Sequence, residues 1–145
     1  MEQEFSVELT LQRGYQFEVD FGAEGPSALT VDEAPPLGGA AGPNPVRMLG
    51  VAVAHCLSAS LLFCLRKYRI EVTQMRTRVD GTLVRNEKGR LRIGAIKVVL
   101  DPVLSPADRE RAGRCLQSFE DYCIVTESIR HGVEVDVTVS PGPPT

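Results

Sequence analysis

The stretch Gly42–Cys56, GPNPVRMLGVAVAHC, decides how the chain is organised. Asn44 is a good N-cap residue and Pro45 suits the first helical position, so a helix is predicted to begin here. After Arg47 the residues are small or apolar, and no charged side chain follows until Arg66. Because such residues occur on almost every face, the pattern predicts a central helix, from Pro45 to about Tyr68, that is covered all round.

Outside this helix, apolar and polar residues alternate in short runs or recur at helical spacing, which predicts the order βββ-α-ββ-αα-β. The predicted strands are Phe5–Leu11, Tyr15–Phe21, Ala28–Asp32, Glu71–Arg85, Arg90–Asp101 and Val133–Val139, and the two further helices begin at Ser105-Pro106 and at Cys123. The strands come in hairpins rather than alternating singly with helices, so an α+β fold is expected. No repeat or low-complexity tract marks a boundary, and a single domain over residues 1–145 is predicted.

The overall composition excludes some partners. A net charge of −3, 6% aromatic residues and no Trp argue against binding to nucleic acid. The uncharged run of the central helix is near the lower limit for spanning a bilayer, but its Gly50, His55 and serines favour a soluble core helix over a membrane segment. The acidic start, MEQEFSVELT, lacks a secretory pattern, so the four cysteines are expected to be reduced thiols in the cytoplasm.

Two of the cysteines are candidates for chemistry. In the middle of a helix, Cys56 is on its residues alone more typical of apolar packing than of a nucleophile. His55 points about 100° away from it, and Arg47 lies about two and a half turns away, so neither can activate it. Cys123 opens a helix, where backbone N–H groups lower a thiol pKa, although acidic neighbours oppose this shift. For Cys123, packing and function remain equally open.

The other candidates are weaker. Arg13, in the first hairpin, could approach Cys56 from another element, since Gly14 suits a turn that aims a long side chain inward. Cys64 and Cys115 are expected to pack as core residues. The spacing of cysteines and of the two histidines matches no known metal site, and phosphate-binding, dinucleotide-binding and serine-hydrolase motifs are absent from the sequence. Neither a metal nor a cofactor is therefore predicted.

Taken together, these features resemble the OsmC/Ohr family, the osmotically inducible protein C and organic hydroperoxide resistance proteins. The resemblance lies in the G-P-N-P loop that opens the apolar helix of Cys56, and in Y-C-I-V-T-E-S-I around Cys123. It implies an OsmC-like fold, with two long central helices packed against antiparallel sheets in an intertwined homodimer. It also implies that Cys56 is the peroxidatic cysteine and Cys123 the resolving one, in a cycle that uses a peroxide and an external dithiol reductant.

This chain also departs from the family pattern. The family carries an Arg–Glu pair, with the Glu directly after the helix-opening Pro, and here that position is Val46. By the resemblance Arg13 stands for the family arginine, and Glu127, one helical turn after Cys123, is a candidate replacement for the carboxylate. The usual Pro after the second cysteine is Ile124. These changes place the chain in a divergent branch.

Three functions are therefore open. The first is a cytoplasmic, dimeric, thiol-dependent peroxidase. The second is a non-enzymatic OsmC-like protein that binds an apolar ligand or a partner at the dimer interface, which Val46 favours. The third is a generic α+β domain whose cysteines merely pack, with the sulfurs of Cys56 and Cys123 too far apart to bridge.

Overall fold

Helix α1 is the longest element of the fold. The computed structural model describes residues 3–22, 25 and 28–143. In it α1 covers Pro45–Lys67, as the sequence predicts, and Asn44 is its N-cap, since Asn44 Oδ1 accepts the N–H of Arg47 at 2.9 Å. The chain divides into two compact units, Met1–Ala54 with Arg78–Val99 and His55–Thr77 with Leu100–Thr145. Helix α1 contributes residues to both units, and a single domain over residues 1–145 stays a prediction.

The first unit contains a three-stranded antiparallel sheet of β1 (Glu8–Arg13), β2 (Gln16–Asp20) and β3 (Leu29–Val31). Strands β2 and β3 fall within the predicted ones, and β1 overlaps its predicted range Phe5–Leu11 but continues to Arg13. Alternate residues that share one face of the sheet lie opposite each other on neighbouring strands, with Leu11 opposite Phe17 and Phe17 opposite Val31. The alternating pattern of the sequence thus sets the register.

The loop between β3 and α1 is organised by the buried carboxylate of Asp32. Its oxygens accept backbone N–H groups of Ala41, Gly39 and Glu33 at 3.1, 3.2 and 2.7 Å. These hydrogen bonds, that of Ala41 first, hold the pKa of Asp32 below its usual range. Gly42 is required where the loop passes β3, because a Cβ there would overlap the Thr30 carbonyl. The loop is therefore ordered and directs the chain into α1.

The predicted second hairpin is also present. Strands β4 (Met75–Arg85) and β5 (Leu91–Pro102) form a two-stranded sheet. In the connecting turn Asn86 Oδ1 accepts the N–H groups of Lys88 and Arg90, both at 3.0 Å, and Gly89 has φ +74°. These are the Asn and Gly positions that the sequence pattern identifies as the turn.

The second unit holds the C-terminal part of α1 and a group of short helices. These are α2 (Pro106–Arg111), α3 (Gly113–Ser118), a 3-10 turn (Phe119–Tyr122) and α4 (Ile124–His131). Ser105 caps α2 by accepting the Asp108 N–H at 3.1 Å, as predicted. The apolar side chains buried in this unit are Leu57, Leu61, Leu65, Ile70, Ala112, Cys115, Phe119 and Cys123.

Two predicted elements differ from the structure. The helix expected from Ser105-Pro106 is interrupted at Ala112, which has ψ −9°, because Gly113, a poor helix former, follows it directly. The run Val133–Val139 belongs to neither sheet formed by the described residues, and its four valines are 63–82% exposed. The prediction of a last strand is therefore wrong for the described residues, because a strand also needs a neighbouring strand and neither of these sheets provides one.

The cysteines of the second unit correct a further expectation. Cys64 of α1 and Cys115 of α3 do not remain separate thiols but form a disulfide with a Cα–Cα distance of 5.6 Å. Spacing could not indicate this pair, because the two residues are 51 positions apart and meet only when α3 packs on α1. The other two cysteines, Cys56 and Cys123, are free thiols.

Helix α1 is only partly covered within the chain. Its buried side chains Val53, Leu57, Leu61 and Leu65 lie four residues apart along one face, and only 22% of its most apolar 18-residue window is buried. Within the described residues this is the one helix long and apolar enough to cross a bilayer, judged by length and composition. The single chain therefore does not cover this helix all round, as expected of a helix too apolar for a small monomer to cover completely.

Helix α1 ends in a Schellman motif that carries an unusual residue. The N–H of Ile70 reaches the carbonyl of Leu65 at 3.0 Å, and that of Arg69 reaches Arg66 at 2.9 Å. Leu65 and Ile70 are both fully buried, so the hydrophobic contact typical of the motif is also present. Arg69 itself has φ +58°, a conformation in which glycine is the usual residue.

We therefore expect Arg69→Gly to stabilise the protein. The left-handed conformation costs a side-chain-bearing residue about 1–2 kcal/mol, and the greater freedom of glycine in the unfolded chain offsets part of the gain. Thermal unfolding should show a net increase of about 0.5–1 kcal/mol. The matched control, Arg66→Gly inside the last helical turn, should lose about 1 kcal/mol. A lower melting temperature for Arg69→Gly would contradict this explanation of the motif.

Candidate active site

Cys56 lies in the middle of α1, beside the buried face of the helix. Its neighbours Val53 and Leu57 are buried, whereas Cys56 is only partly buried and His55 is exposed. The Cys56 sulfur accepts a hydrogen bond from the backbone N–H of Val125 at 3.5 Å. The helix thus presents this thiol to the first turn of α4, and an access route to the sulfur remains.

Cys123 occupies the N-cap position of α4. Its backbone is extended, with φ −82° and ψ 103°, and its carbonyl accepts the N–H of Glu127 at 3.1 Å. The sulfur is hydrogen-bonded to Thr126 Oγ1 at 3.1 Å, and both side chains are buried. When the sulfur is ionised, the Thr126 hydroxyl is the donor. Cys123 therefore takes the place that Ser, Thr or Asp usually fills at a helix start.

The two thiols influence each other's ionisation, and their pKa values move in opposite directions. Burial, together with the hydrogen bond and charge of Cys123, raises the pKa of Cys56 against the opposing N–H of Val125. Burial would also raise the pKa of Cys123. It is outweighed by hydrogen bonds from the Thr126 hydroxyl, from Cys56 and from backbone N–H groups, so the pKa of Cys123 is lowered. Of the two thiols, Cys123 therefore gives up its proton more readily than Cys56.

This contact contradicts the third of the hypotheses drawn from the sequence. A generic domain with packed cysteines requires sulfurs that are too far apart to bridge, whereas here Cys56 accepts the N–H of Val125, two residues after Cys123, and the two thiols shift each other's pKa. The structure thus brings together the two cysteines that the sequence selected from distant motifs. It also adds Thr126, which sequence reasoning missed.

Arg130 connects the two segments on either side of Cys123. Its guanidinium is 2.6 Å from Glu120 in the 3-10 turn and 2.6 Å from Glu127 in α4. Exposed ion pairs of this kind contribute little individually, but together they fix the angle at which the chain enters α4. Sequence reasoning missed this residue, because its two partners are on different elements.

The structure places the two remaining predicted site residues as follows. The Glu127 carboxylate contacts Arg130 at 2.6 Å and His131 at 3.4 Å, so it faces side chains of its own helix. Arg13 is exposed at the end of β1, in the first unit, whereas Cys56 is in the second. Their catalytic roles stay predictions. Val46, where the family has a carboxylate, is 40% exposed at the start of α1.

The described residues contain no group of three or more His, Cys, Asp or Glu side chains able to hold a metal ion. The chemistry available at this site is therefore that of two interacting thiols. A nucleophilic sulfur next to a second, ionised sulfur can be oxidised by two electrons and can form a disulfide.

Comparison with known proteins agrees with this architecture. An OsmC-like protein of unknown function from Vibrio cholerae has a TM-score of 0.74 at 18% identity, covering 88% of this chain and 94% of that one. The organic hydroperoxide resistance protein OhrB of Bacillus subtilis has a TM-score of 0.62 at 22% identity, with 88% and 91% covered. A Legionella pneumophila protein described as an organic hydroperoxide resistance protein OsmC has a TM-score of 0.60 at 15% identity, with 88% and 90% covered.

These structural likenesses show the α+β, OsmC-like fold with its antiparallel sheets. No curated protein matches the sequence. The family described as OsmC-like protein matches residues 38–138, a span that includes α1 with Cys56 and α4 with Cys123. This match covers most of the chain, and the protein therefore belongs to the OsmC-like family.

Proposed function

We propose that this protein is a cytoplasmic, thiol-dependent peroxidase that reduces organic or hydrogen peroxides through Cys56 and Cys123. The observation that carries the proposal is the proximity of these two free thiols: Cys56 accepts the N–H of Val125, two residues after Cys123, and the pKa of Cys56 is raised while that of Cys123 is lowered. Membership of the OsmC-like family suggests a redox or peroxide-related role and supports the same conclusion. The reaction uses an external dithiol reductant and needs neither metal nor cofactor.

In the first step the Cys56 sulfur attacks the terminal oxygen of a hydroperoxide. The O–O bond breaks, and Cys56 becomes a sulfenic acid. The Cys123 thiolate accepts the proton that Cys56 gives up, and then passes it to the departing alkoxide, which leaves as an alcohol. Cys123 thus acts as the general base that deprotonates Cys56. Val46 has no carboxylate that could take this role.

The second step uses the thiolate that this proton transfer restores. The Cys123 sulfur attacks the Cys56 sulfenic acid, a disulfide forms, and hydroxide leaves and is protonated to water. An external dithiol then reduces the Cys56–Cys123 disulfide and is itself oxidised to a disulfide. Cys56 is partly exposed, which suits attack on an incoming peroxide. Cys123 is buried, which suits attack on the Cys56 sulfenic acid inside the protein.

We also propose that the working form is a homodimer. Helix α1 leaves large apolar side chains in water, among them Val51 at 60% and Phe63 at 72% exposure, and the valines of Val133–Val139 are exposed too. Apolar surfaces of this extent are typical of interfaces. A second copy would cover them, and the apolar wall of α1 beside Cys56 would then hold the organic part of a peroxide.

The dimer predicts a clear effect of Phe63→Glu. An acidic side chain buried in an interface is unfavourable, so light scattering should show a shift from dimer toward monomer by at least tenfold in the dissociation constant. Far-UV circular dichroism should stay unchanged, because Phe63 is exposed within the chain. Lys88→Glu, in the exposed β4–β5 turn, is the control and should remain dimeric. A monomeric wild-type protein would contradict the proposal.

A second function has one observation in its favour. Val46 stands where relatives of this family carry a carboxylate, and a protein without efficient peroxide chemistry could use the same apolar surface to bind an apolar ligand or a partner protein. This alternative predicts thiols that are inert toward peroxide.

One experiment separates the two functions. The reduced protein is treated with one equivalent of cumene hydroperoxide, free thiols are titrated, and disulfides are located by peptide mass spectrometry. The peroxidase hypothesis predicts that two thiols are lost rapidly and that a Cys56–Cys123 disulfide forms, which makes the protein lighter by two hydrogen atoms. Unreacted Cys56 and Cys123 would instead support the binding protein.

A further inference from the structure

The Cys64–Cys115 disulfide links the two elements that carry the site thiols. Helix α1 bears Cys56 and Cys64, eight residues apart, and the segment through α3 and the 3-10 turn bears Cys115 and Cys123, again eight residues apart. The Cα–Cα distance of 5.6 Å lies within the ordinary range for a disulfide. The bridge therefore ties the helix of one site thiol to the segment of the other.

We propose that Cys64 and Cys115 form a second redox centre, a clamp that a dithiol opens and that holds Cys123 against Cys56 when closed. The clamp acts on the thiol pair of the proposed function and in this respect rests on it. Disulfides in a reducing compartment are usually transient, catalytic or redox-sensing rather than permanent, which favours a reversible bridge in the cytoplasmic protein proposed above.

The two sulfurs of the clamp differ in accessibility. Cys115 is completely buried, whereas Cys64 is only partly buried on α1. An external thiolate therefore attacks the Cys64 sulfur, the S–S bond breaks, and Cys115 leaves as a thiolate that takes up a proton. The second thiol of the reductant then attacks the mixed disulfide and releases Cys64. In total the clamp gains two electrons and two protons, and the reductant becomes a disulfide.

Opening the clamp removes the one covalent restraint between α1 and the segment of Cys123. Helix α3 has only six residues and a single buried side chain, Cys115, so it has little other packing of its own. The Arg130 ion pairs, which are exposed, restrain only the 3-10 turn and α4 relative to each other. With the clamp open, the effective concentration of Cys123 at Cys56 should therefore fall, by roughly 3- to 30-fold.

The first test needs no peroxide. The full-length protein is equilibrated with graded ratios of reduced and oxidised dithiothreitol, trapped with N-ethylmaleimide and mapped by peptide mass spectrometry, while circular dichroism monitors folding. Cys64 and Cys115 should become labelled together, as a two-electron couple, in protein that stays folded. A bridge that yields only when the protein unfolds, or thiols that are unpaired at every ratio, would overturn the proposal.

The second test measures how the clamp affects the site. The same equilibration gives the effective concentration of Cys123 at Cys56. This concentration should be roughly 3- to 30-fold lower in a Cys64→Ser, Cys115→Ser double variant than in the wild type with its clamp closed. If that variant does not fold, the wild type at a ratio that opens only the clamp provides the same comparison. Equal values within twofold would overturn the clamp, whereas a failed peroxidase assay would leave this measurement intact.

Discussion

Replacing Cys56 by serine is expected to lower dithiol-dependent reduction of cumene hydroperoxide by at least about a thousandfold. A serine hydroxyl is a far weaker nucleophile toward a peroxide oxygen than a sulfur, and it cannot form the sulfenic acid from which the disulfide arises. The Cys56 side chain is only partly buried, and serine is smaller, so the fold should remain. The measurement is consumption of the peroxide with excess dithiothreitol, at protein concentrations that keep the wild type in steady state.

Two controls make this result specific. Lys88→Glu changes an exposed turn in the β4–β5 hairpin and should keep the wild-type rate. The Cys56→Ser protein itself should retain the Cys64–Cys115 disulfide and the wild-type circular dichroism spectrum, which shows that folding was not lost. If turnover persists in Cys56→Ser, the nucleophile is another group and the proposed function is wrong.

Local signals in the sequence predicted much of this fold. The Asn44-Pro45 start of α1, the Asn86 and Gly89 turn and the Ser105 cap each depend on a few adjacent residues, and each is present as expected. The strands of the first sheet follow from alternation alone. What these features share is that neighbouring residues contain all the information needed to form them.

Features that depend on distant residues were not predictable in this way. The Cys64–Cys115 bridge needs α3 to pack on α1, and Arg130 needs partners on two elements. The run Val133–Val139 alternates like a strand but belongs to neither sheet of the described residues, because alternation alone does not provide a neighbouring strand. Likewise, the residues around Cys56 alone indicated core packing, and its assignment as a site came from the family resemblance. The contact with Cys123 then provides the physical reason for that assignment.

The contact between Cys56 and Cys123 leads to the most discriminating prediction. Cys123→Ser should still consume about one equivalent of peroxide, because Cys56 remains, but steady-state turnover should fall by about a hundredfold or more, since no thiolate resolves the sulfenic acid. The first step should slow as well. In the wild type its rate should rise with ionisation of Cys123. Burial would raise the pKa of Cys123, but hydrogen bonds outweigh it and lower the pKa, so the rate should level off at a lower pH than for an unperturbed thiol.

In Cys123→Ser the proposed acceptor of the Cys56 proton is missing, and the rate should instead follow ionisation of the partly buried Cys56 itself. Stopped-flow measurements of the first step from pH 5.5 to 9.5 should therefore show the Cys123→Ser profile at higher pH than the wild type. Thr126→Val provides the matched variant: it removes a hydrogen bond that lowers the pKa of Cys123, so its profile should also move to higher pH while turnover persists. Should the Cys123→Ser profile coincide with that of the wild type, Cys123 acts in resolution alone and a different group accepts the proton.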